Sequence, residues 1–176
     1  MFSDLGICLR GLVVCLVLLS GVLALPAVAQ QAPGVSAAVE VQGRADYALA
    51  FDGARDPARD LQRAVAAAAA GGKRVLVVVG GDWCVWCFLL DRHLGADPEA
   101  ARILYGGFEV LRVYYGEDNT NDAFLARFPE FELFPHFFVV ETDGRVLASV
   151  DADVFIDDAK YSTALIRDFT AGWRKH

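Results

Sequence analysis

Two cysteines three residues apart, Cys84 and Cys87, occur in the stretch Trp83-Cys84-Val85-Trp86-Cys87. Thiols at that spacing can exchange with a disulfide: the first attacks as thiolate, a mixed disulfide forms, and the second releases the product. The attack needs a stabilised thiolate, and a helix N-terminus stabilises one through its partial positive charge and unpaired N–H groups. Cys84 would then be the attacking sulfur and Cys87, one turn further in, the resolving one. Other chemistries are weaker fits. A bridge across so short a loop removes little chain entropy, so a purely structural disulfide gains little. A zinc site needs four protein ligands or three plus water, and only His93, His136 and His176 could add to the sulfurs. Covalent haem requires His directly after the second cysteine, where this chain has Phe88. Redox exchange without a dissociable cofactor is the favoured reading. Binding of a soft metal such as copper(I), which suits thiolates, or an adaptor role in envelope protein assembly, is the alternative.

The elements around the pair supply the required junction. Residues 73–79 (KRVLVVV) form a β-branched run expected to be a central strand buried on both faces, ended by Gly80-Gly81. The apolar stretch through Leu89, Leu90 and Leu94 reads as the helix that follows the cysteines. Before them, Asp56-Pro57 opens a helix with a buried stripe of Leu61, Ala64, Val65 and Ala68, stopped by Gly71-Gly72. After them, Asp97-Pro98 starts a short further helical turn, residues 109–115 read as a strand, and residues 119–128 as a helix with Thr120 as its cap. Strands at 136–141 and 146–150 join across Asp143-Gly144, a hairpin turn signal. Tyr161, Leu165, Ile166, Phe169 and Trp173 mark a last amphipathic helix. An extra strand at residues 47–51 is a further candidate. This order requires an α/β fold with a mixed central sheet and helices on both faces.

The chain resembles thioredoxin-like proteins of the bacterial envelope with a D-W-C-x-W-C site, and the C-terminal domain of the membrane thiol:disulfide interchange protein. The resemblance rests on KRVLVVVGGDWCVWC, on FPHFFVVETDGRVL and on their separation, and spans roughly residues 56–173. It implies a thioredoxin-like fold, protein disulfides as substrates, and a membrane thiol transporter as electron donor. It also implies that Pro135 is cis and faces the cysteines, with the backbone of Phe134 pairing with an extended substrate segment. Three departures stand out. Val78 occupies the place where thioredoxin buries an acid, Phe88 replaces the usual lysine after the second cysteine, and Val85-Trp86 replaces Gly-Pro between the thiols. Redox potential and direction therefore do not transfer, because such neighbours set thiolate stability.

Around the motif, Trp83, Trp86, Phe131, Phe134 and Phe137 are candidates for an apolar rim that grips unfolded substrate, with Trp86 outermost between the thiols. Asp82 is read as a solvated helix cap rather than a charge that raises the Cys84 pKa. His136 has two readings: an imidazolium near the sulfurs that favours a thiolate, or a strand histidine with its ring satisfied. His93, nine positions after Cys84, is read as packing or surface. The acid-rich stretches 117–118 and 151–158 are expected to be solvated loops.

Composition bounds the rest. The 176 residues are 55% apolar and carry 16 Lys plus Arg against 23 Asp plus Glu, a net charge of −7. With no basic run, nucleic-acid binding is excluded as a charge-driven function, and the apolar and aromatic content excludes disorder for the bulk of the chain. Residues 11–25 (GLVVCLVLLSGVLAL) follow Arg10 and precede Ala27-Val28-Ala29, the three-part order of a secretory signal cleaved before Gln30. The expected organisation is a signal peptide at 1–29, a flexible leader at 30–45 and one domain at 46–176. Cleavage would remove Cys8 and Cys15, leaving only Cys84 and Cys87 in a periplasmic or secreted protein.

Overall fold

A computed structural model describes residues 43–175; the expected signal peptide and most of the expected leader lie outside them. The domain opens with a 3-10 turn, Asp46–Ala48, followed by helix α1, Pro57–Ala70. Asp56 caps α1, its carboxylate accepting the N–H groups of Ala58 and Arg59, and Pro57 takes the first helical position, where a missing N–H costs nothing. Strand β1 (Arg74–Gly80) leads to α2 (Val85–Ala96), α3 (Pro98–Gly107) and β2 (Phe108–Tyr114). A one-turn helix α4 (Asp122–Leu125), strands β3 (His136–Val140) and β4 (Val146–Asp151), a small hairpin β5–β6 (Ile156–Asp157, Lys160–Tyr161) and helix α5 (Thr163–Trp173) complete the order. No helix among the described residues is long and apolar enough to cross a membrane.

The main sheet has the order β2-β1-β3-β4. β1 pairs in parallel with β2 and antiparallel with β3, while β3 and β4 form an antiparallel hairpin. The fold is α/β, with the mixed sheet that the order of elements requires. Residues 75–79 are all buried, as an interior strand covered on both faces must be. Neighbouring residues of β3 show the two layers. Phe137 packs edge-on against Phe155, which in turn meets Phe169 of α5, whereas Phe138 meets Phe128 and Phe131 beyond α4. The β3–β4 turn uses Gly144 at φ 89°, a left-handed conformation that glycine adopts without a Cβ clash.

Several elements differ from expectation. The segment at 47–51 is not a strand: Ala48 directs its carbonyl to the Arg112 guanidinium, and Tyr47 is buried with its hydroxyl on Glu109 at 2.6 Å. The helix expected at 119–128 is a single turn. Asn121, at φ 52°, donates its side-chain amide to the Tyr114 carbonyl, and Asn119 donates to that of Gly53, so side chains hold the backbone out of helix. Thr120 caps nothing; the flanking residue is Asn121. The turn after Asp97 is instead a ten-residue helix. Within α1 the fully buried stripe is Asp60, Ala64 and Ala68, with Leu61 and Val65 half-buried. Tyr161 belongs to β6 rather than α5, and Phe155, inside the acid-rich stretch, is fully buried.

The buried polar groups were absent from the apolar pattern. Asp60 is gripped by Arg55 at 2.6 and 2.8 Å and by Arg63 at 3.0 Å. Arg112, 7% exposed, projects from the middle of β2 to Asp91 of α2, with Nη1 3.0 Å from Oδ2 and Nη2 on Oδ1. Burial opposes its charge, but Asp91 outweighs that and holds the guanidinium above its usual range. The pair fixes α2 to the sheet one helical turn beyond Cys87. Asp91→Ala should lower unfolding free energy by roughly 3 kcal/mol, the lower end of the range for an orphaned buried charge, and Asp91→Asn by less because its amide oxygen still accepts. Urea denaturation of the three proteins measures the difference.

Candidate active site

The cysteines lie where β1 hands over to α2. Gly80 ends the strand with no side chain, and a Cβ there would come within 2.5 Å of Cys87 Sγ and 3.1 Å of the Phe51 ring. The bare Cα is thus the wall against which the second sulfur packs. Cys84 is itself the N-cap of α2: its Sγ accepts the N–H of Cys87 at 3.1 Å and its carbonyl accepts that of Phe88 at 3.1 Å. Both cysteines are buried, at 4% and 2% exposure, and form a disulfide with a Cα separation of 5.2 Å. A sulfur at this N-cap is where a helix's N–H groups favour a thiolate once the bridge is reduced. Asp82 is exposed and does not cap the helix; the sulfur has taken that position.

The Phe134–Pro135 bond is cis, and Phe134 joins this turn to the motif. The Trp83 ring meets Phe134 edge-on at 5.2 Å, Tyr115 stacks on it at 5.0 Å, and Trp83 Nε1 donates to the Tyr115 carbonyl at 2.6 Å. Trp83 is therefore fixed although half exposed. On the other flank, Trp86 meets Tyr161 edge-on, and the Tyr161 hydroxyl donates to the Trp86 carbonyl at 3.1 Å. Burial raises the Tyr161 phenol far above its usual range, so it remains a donor.

Among the described residues, five of the six large exposed apolar side chains are Trp83, Val85, Trp86, Phe88 and Leu133. They form a collar on the first turn of α2 and on the segment before Pro135. Exposed apolar side chains clustered in sequence around a reactive pair suit a binding surface. Of the rim candidates, Trp83 is more exposed than Trp86, Phe134 is half-buried between Trp83 and Tyr115, and Phe131 stacks on His136 at 4.8 Å. Phe137 is fully buried against Phe155 and belongs to the core. Val85, Phe88, Leu133 and Tyr115 were missed as rim residues. The legible signal was an apolar residue at the outward-facing start of a helix, which Val85 and Phe88 both give.

His136 adopts the satisfied reading. It is 4% exposed, with Nδ1 2.9 Å from Asp151 Oδ1 and Nε2 2.8 Å from Ser149 Oγ. An ionised carboxylate only accepts, so the neutral ring donates from Nδ1 to Asp151 and accepts the Ser149 O–H hydrogen bond at Nε2. The three side chains lock β3 to β4 next to the cis bond. His93 meets Thr163 at 3.1 Å, a packing role. Val78 is buried in β1, paired with Arg112 and Phe137, so no acid stands at that place. Among the described residues no three His, Cys, Asp or Glu side chains converge as metal ligands; the two sulfurs are the soft donors present.

A sequence family described as thioredoxin-like matches residues 56–142, from the cap of α1 through β3 and including both cysteines and the cis turn. The domain has a thioredoxin-like fold. The crystal structure of a disulphide isomerase from Xylella fastidiosa Temecula1 is similar, at 27% identity over 69% of this chain and 94% of that one, with a TM-score of 0.59. An oxidoreductase named DsbH matches at 16% identity over 62% and 78% of the two chains, with a TM-score of 0.49. The oxidised C-terminal domain of DsbD from Neisseria meningitidis matches at 18% over 68% and 97%, with a TM-score of 0.47. No curated protein sequence matches significantly.

In this thioredoxin-like domain the β3–β4 lock has a pH signature. Burial holds the His136 imidazole below its ordinary range, against the opposing pull of Asp151. The unfolded chain then binds the proton more readily than the native one, so stability is full above about pH 6.5, the free-histidine value, and falls as pH drops below it. Carboxylates such as Asp46 and Glu141, held near about 2 by hydrogen bonds from Arg63 and Lys175 respectively, lose their contribution only at lower pH. Urea midpoints measured from pH 7 to pH 5 should decline, and His136→Gln should flatten that decline.

Proposed function

We propose that this protein is an exported thiol–disulfide oxidoreductase that reduces disulfides in other proteins. The observation that carries the reading is the Cys84–Cys87 pair at a strand-to-helix junction, collared by Trp83, Val85, Trp86 and Phe88 and flanked by the Phe134–Pro135 turn. The similar Xylella fastidiosa structure, a disulphide isomerase, supports the same class of chemistry.

In the reducing direction the Cys84 thiolate attacks one sulfur of the substrate disulfide. The substrate S–S bond breaks, its leaving sulfur takes a proton, and an enzyme–substrate mixed disulfide remains. Cys87 then gives up its proton and attacks Cys84 Sγ. The second substrate thiol is released, and two electrons have passed from the dithiol to the substrate. The enzyme ends as the disulfide present in this structure, and a dithiol donor must reduce it again. A membrane thiol transporter is the donor we propose. Trp83 and Trp86 bind the substrate's apolar residues, and the Phe134 backbone beside Pro135 pairs with its extended chain.

Cys84→Ser should reduce insulin-disulfide reduction to the uncatalysed rate, and Cys87→Ser should leave a stable mixed disulfide detectable on non-reducing gels. Unchanged turnover in either variant contradicts the mechanism. The protein recovered from the envelope fraction should begin at Gln30 by N-terminal sequencing; an intact Met1 terminus would argue against cleavage.

A further inference from the structure

The two flanks of the cysteine pair differ in charge. On the Phe134 side an open groove of about 770 Å³ runs away from the cis turn, with a floor of Tyr115, Leu125, Phe128, Phe131 and Phe134. Asp122, Glu130 and Glu132 also line it, and no Lys, Arg or His does. All three acids are exposed, and none has a cationic partner among the described residues. Outside the groove, desolvation and, less strongly, Asp118, Asp82 and Glu117 raise the Tyr114 phenol. On the Trp86 side, a smaller groove of about 360 Å³ carries Arg92, His93 and Lys160 beside Leu89 and Tyr161. The two linings therefore differ in charge, although Asp91 and Asp153 lie near Tyr161 on the Trp86 side.

An aromatic floor with uncompensated carboxylates on its rim fits apolar residues whose neighbours are cationic. Lys and Arg can lay their methylene stems on aromatic faces while their heads reach the carboxylates. Resting on the oxidoreductase reading, we propose that this groove seats the polypeptide flanking the substrate cysteine and selects segments in which Lys or Arg alternates with apolar residues. The occupant is an extended basic stretch of a disulfide-bearing protein, entering beside Phe134. Charge complementarity acts before the chemical step and falls with salt.

The test uses the reduced full chain and three peptides of equal length. Each links one cysteine through a disulfide to nitrothiobenzoate, with Leu and Phe flanks interspersed with Arg, Gln or Glu. Individual exposed ion pairs are weak, but several converging on one segment should make the Arg peptide about tenfold faster than the Glu peptide in low salt. That ratio should collapse at high salt. It should also shrink in Glu130→Gln/Glu132→Gln and reverse in Glu130→Lys/Glu132→Lys, while Asp153→Asn/Asp168→Asn, which removes equal charge elsewhere, leaves it in place. Uncharged hydroxyethyl disulfide should react equally with the unsubstituted chain and with Asp153→Asn/Asp168→Asn. Equal rates for the three peptides overturn the inference while the oxidoreductase reading stands, as does a ratio lost equally in the Asp153/Asp168 variant. A dimer by sedimentation that Glu130→Lys/Glu132→Lys dissolves also overturns it, since a second copy would fill the groove. Failure to reduce hydroxyethyl disulfide at all overturns the oxidoreductase reading itself.

Discussion

The two-sided pairing of β1 is the constraint on which the site depends. Parallel pairing places Tyr114 beside Gly80, and antiparallel pairing places His136 beside Val79. The end of β1, the end of β2 and the start of β3 therefore meet at one edge of the sheet. That edge gathers the cysteine turn, Tyr115 and the Phe134–Pro135 bond, which lie far apart in sequence. A helix starting there presents its N-terminal N–H groups to the same place, an arrangement that favours anions at the ends of parallel strands. Without the β3 pairing, Phe134 could not contact Trp83, and the apolar surface around the sulfurs would lose one wall.

Buried polar side chains hold these elements in register. Arg112 ties the middle of β2 both to the Ala48 carbonyl and to Asp91 on α2, so the cysteine helix cannot slide relative to the sheet without exposing an unpaired guanidinium. His136 does the same for β3 and β4 through Asp151 and Ser149. Neutral burial suits it, because a charged ring there would be poorly solvated. Neither device has a hydrogen bond to the sulfurs among the described residues. With these walls held by hydrogen bonds, a small apolar collar stays exposed beside the cysteines.

The asymmetry of the two flanks gives the site a direction. One side is aromatic and acidic, the other aromatic and basic. A peptide lying across both would find one orientation favoured over the reverse, since reversing it sets like charges together. Orientation matters for exchange because the attacking sulfur must approach along the substrate S–S axis, and only one of the two substrate sulfurs can then be the leaving group.

The cysteine pair, the buried β1 run, the α1 cap at Asp56-Pro57 and the Asp143-Gly144 turn were legible in the sequence. Each is a local signal whose meaning is fixed by residues within one turn or one strand of it. The place of Pro135 was legible through family resemblance, although the cis state belongs to the folded chain. What sequence could not decide was set by contacts over long separations. Asn119 and Asn121 cut a helix to one turn because their amides reach Gly53 and Tyr114, and Ala48 left a strand pattern because Arg112 claims its carbonyl. Phe131, Phe134 and Phe137 are one residue type within seven positions, yet one stacks on a histidine, one backs the active-site tryptophan and one fills the core. Side-chain chemistry gives each phenylalanine the same tendency to be buried; only the tertiary arrangement determines which surface is there to bury it.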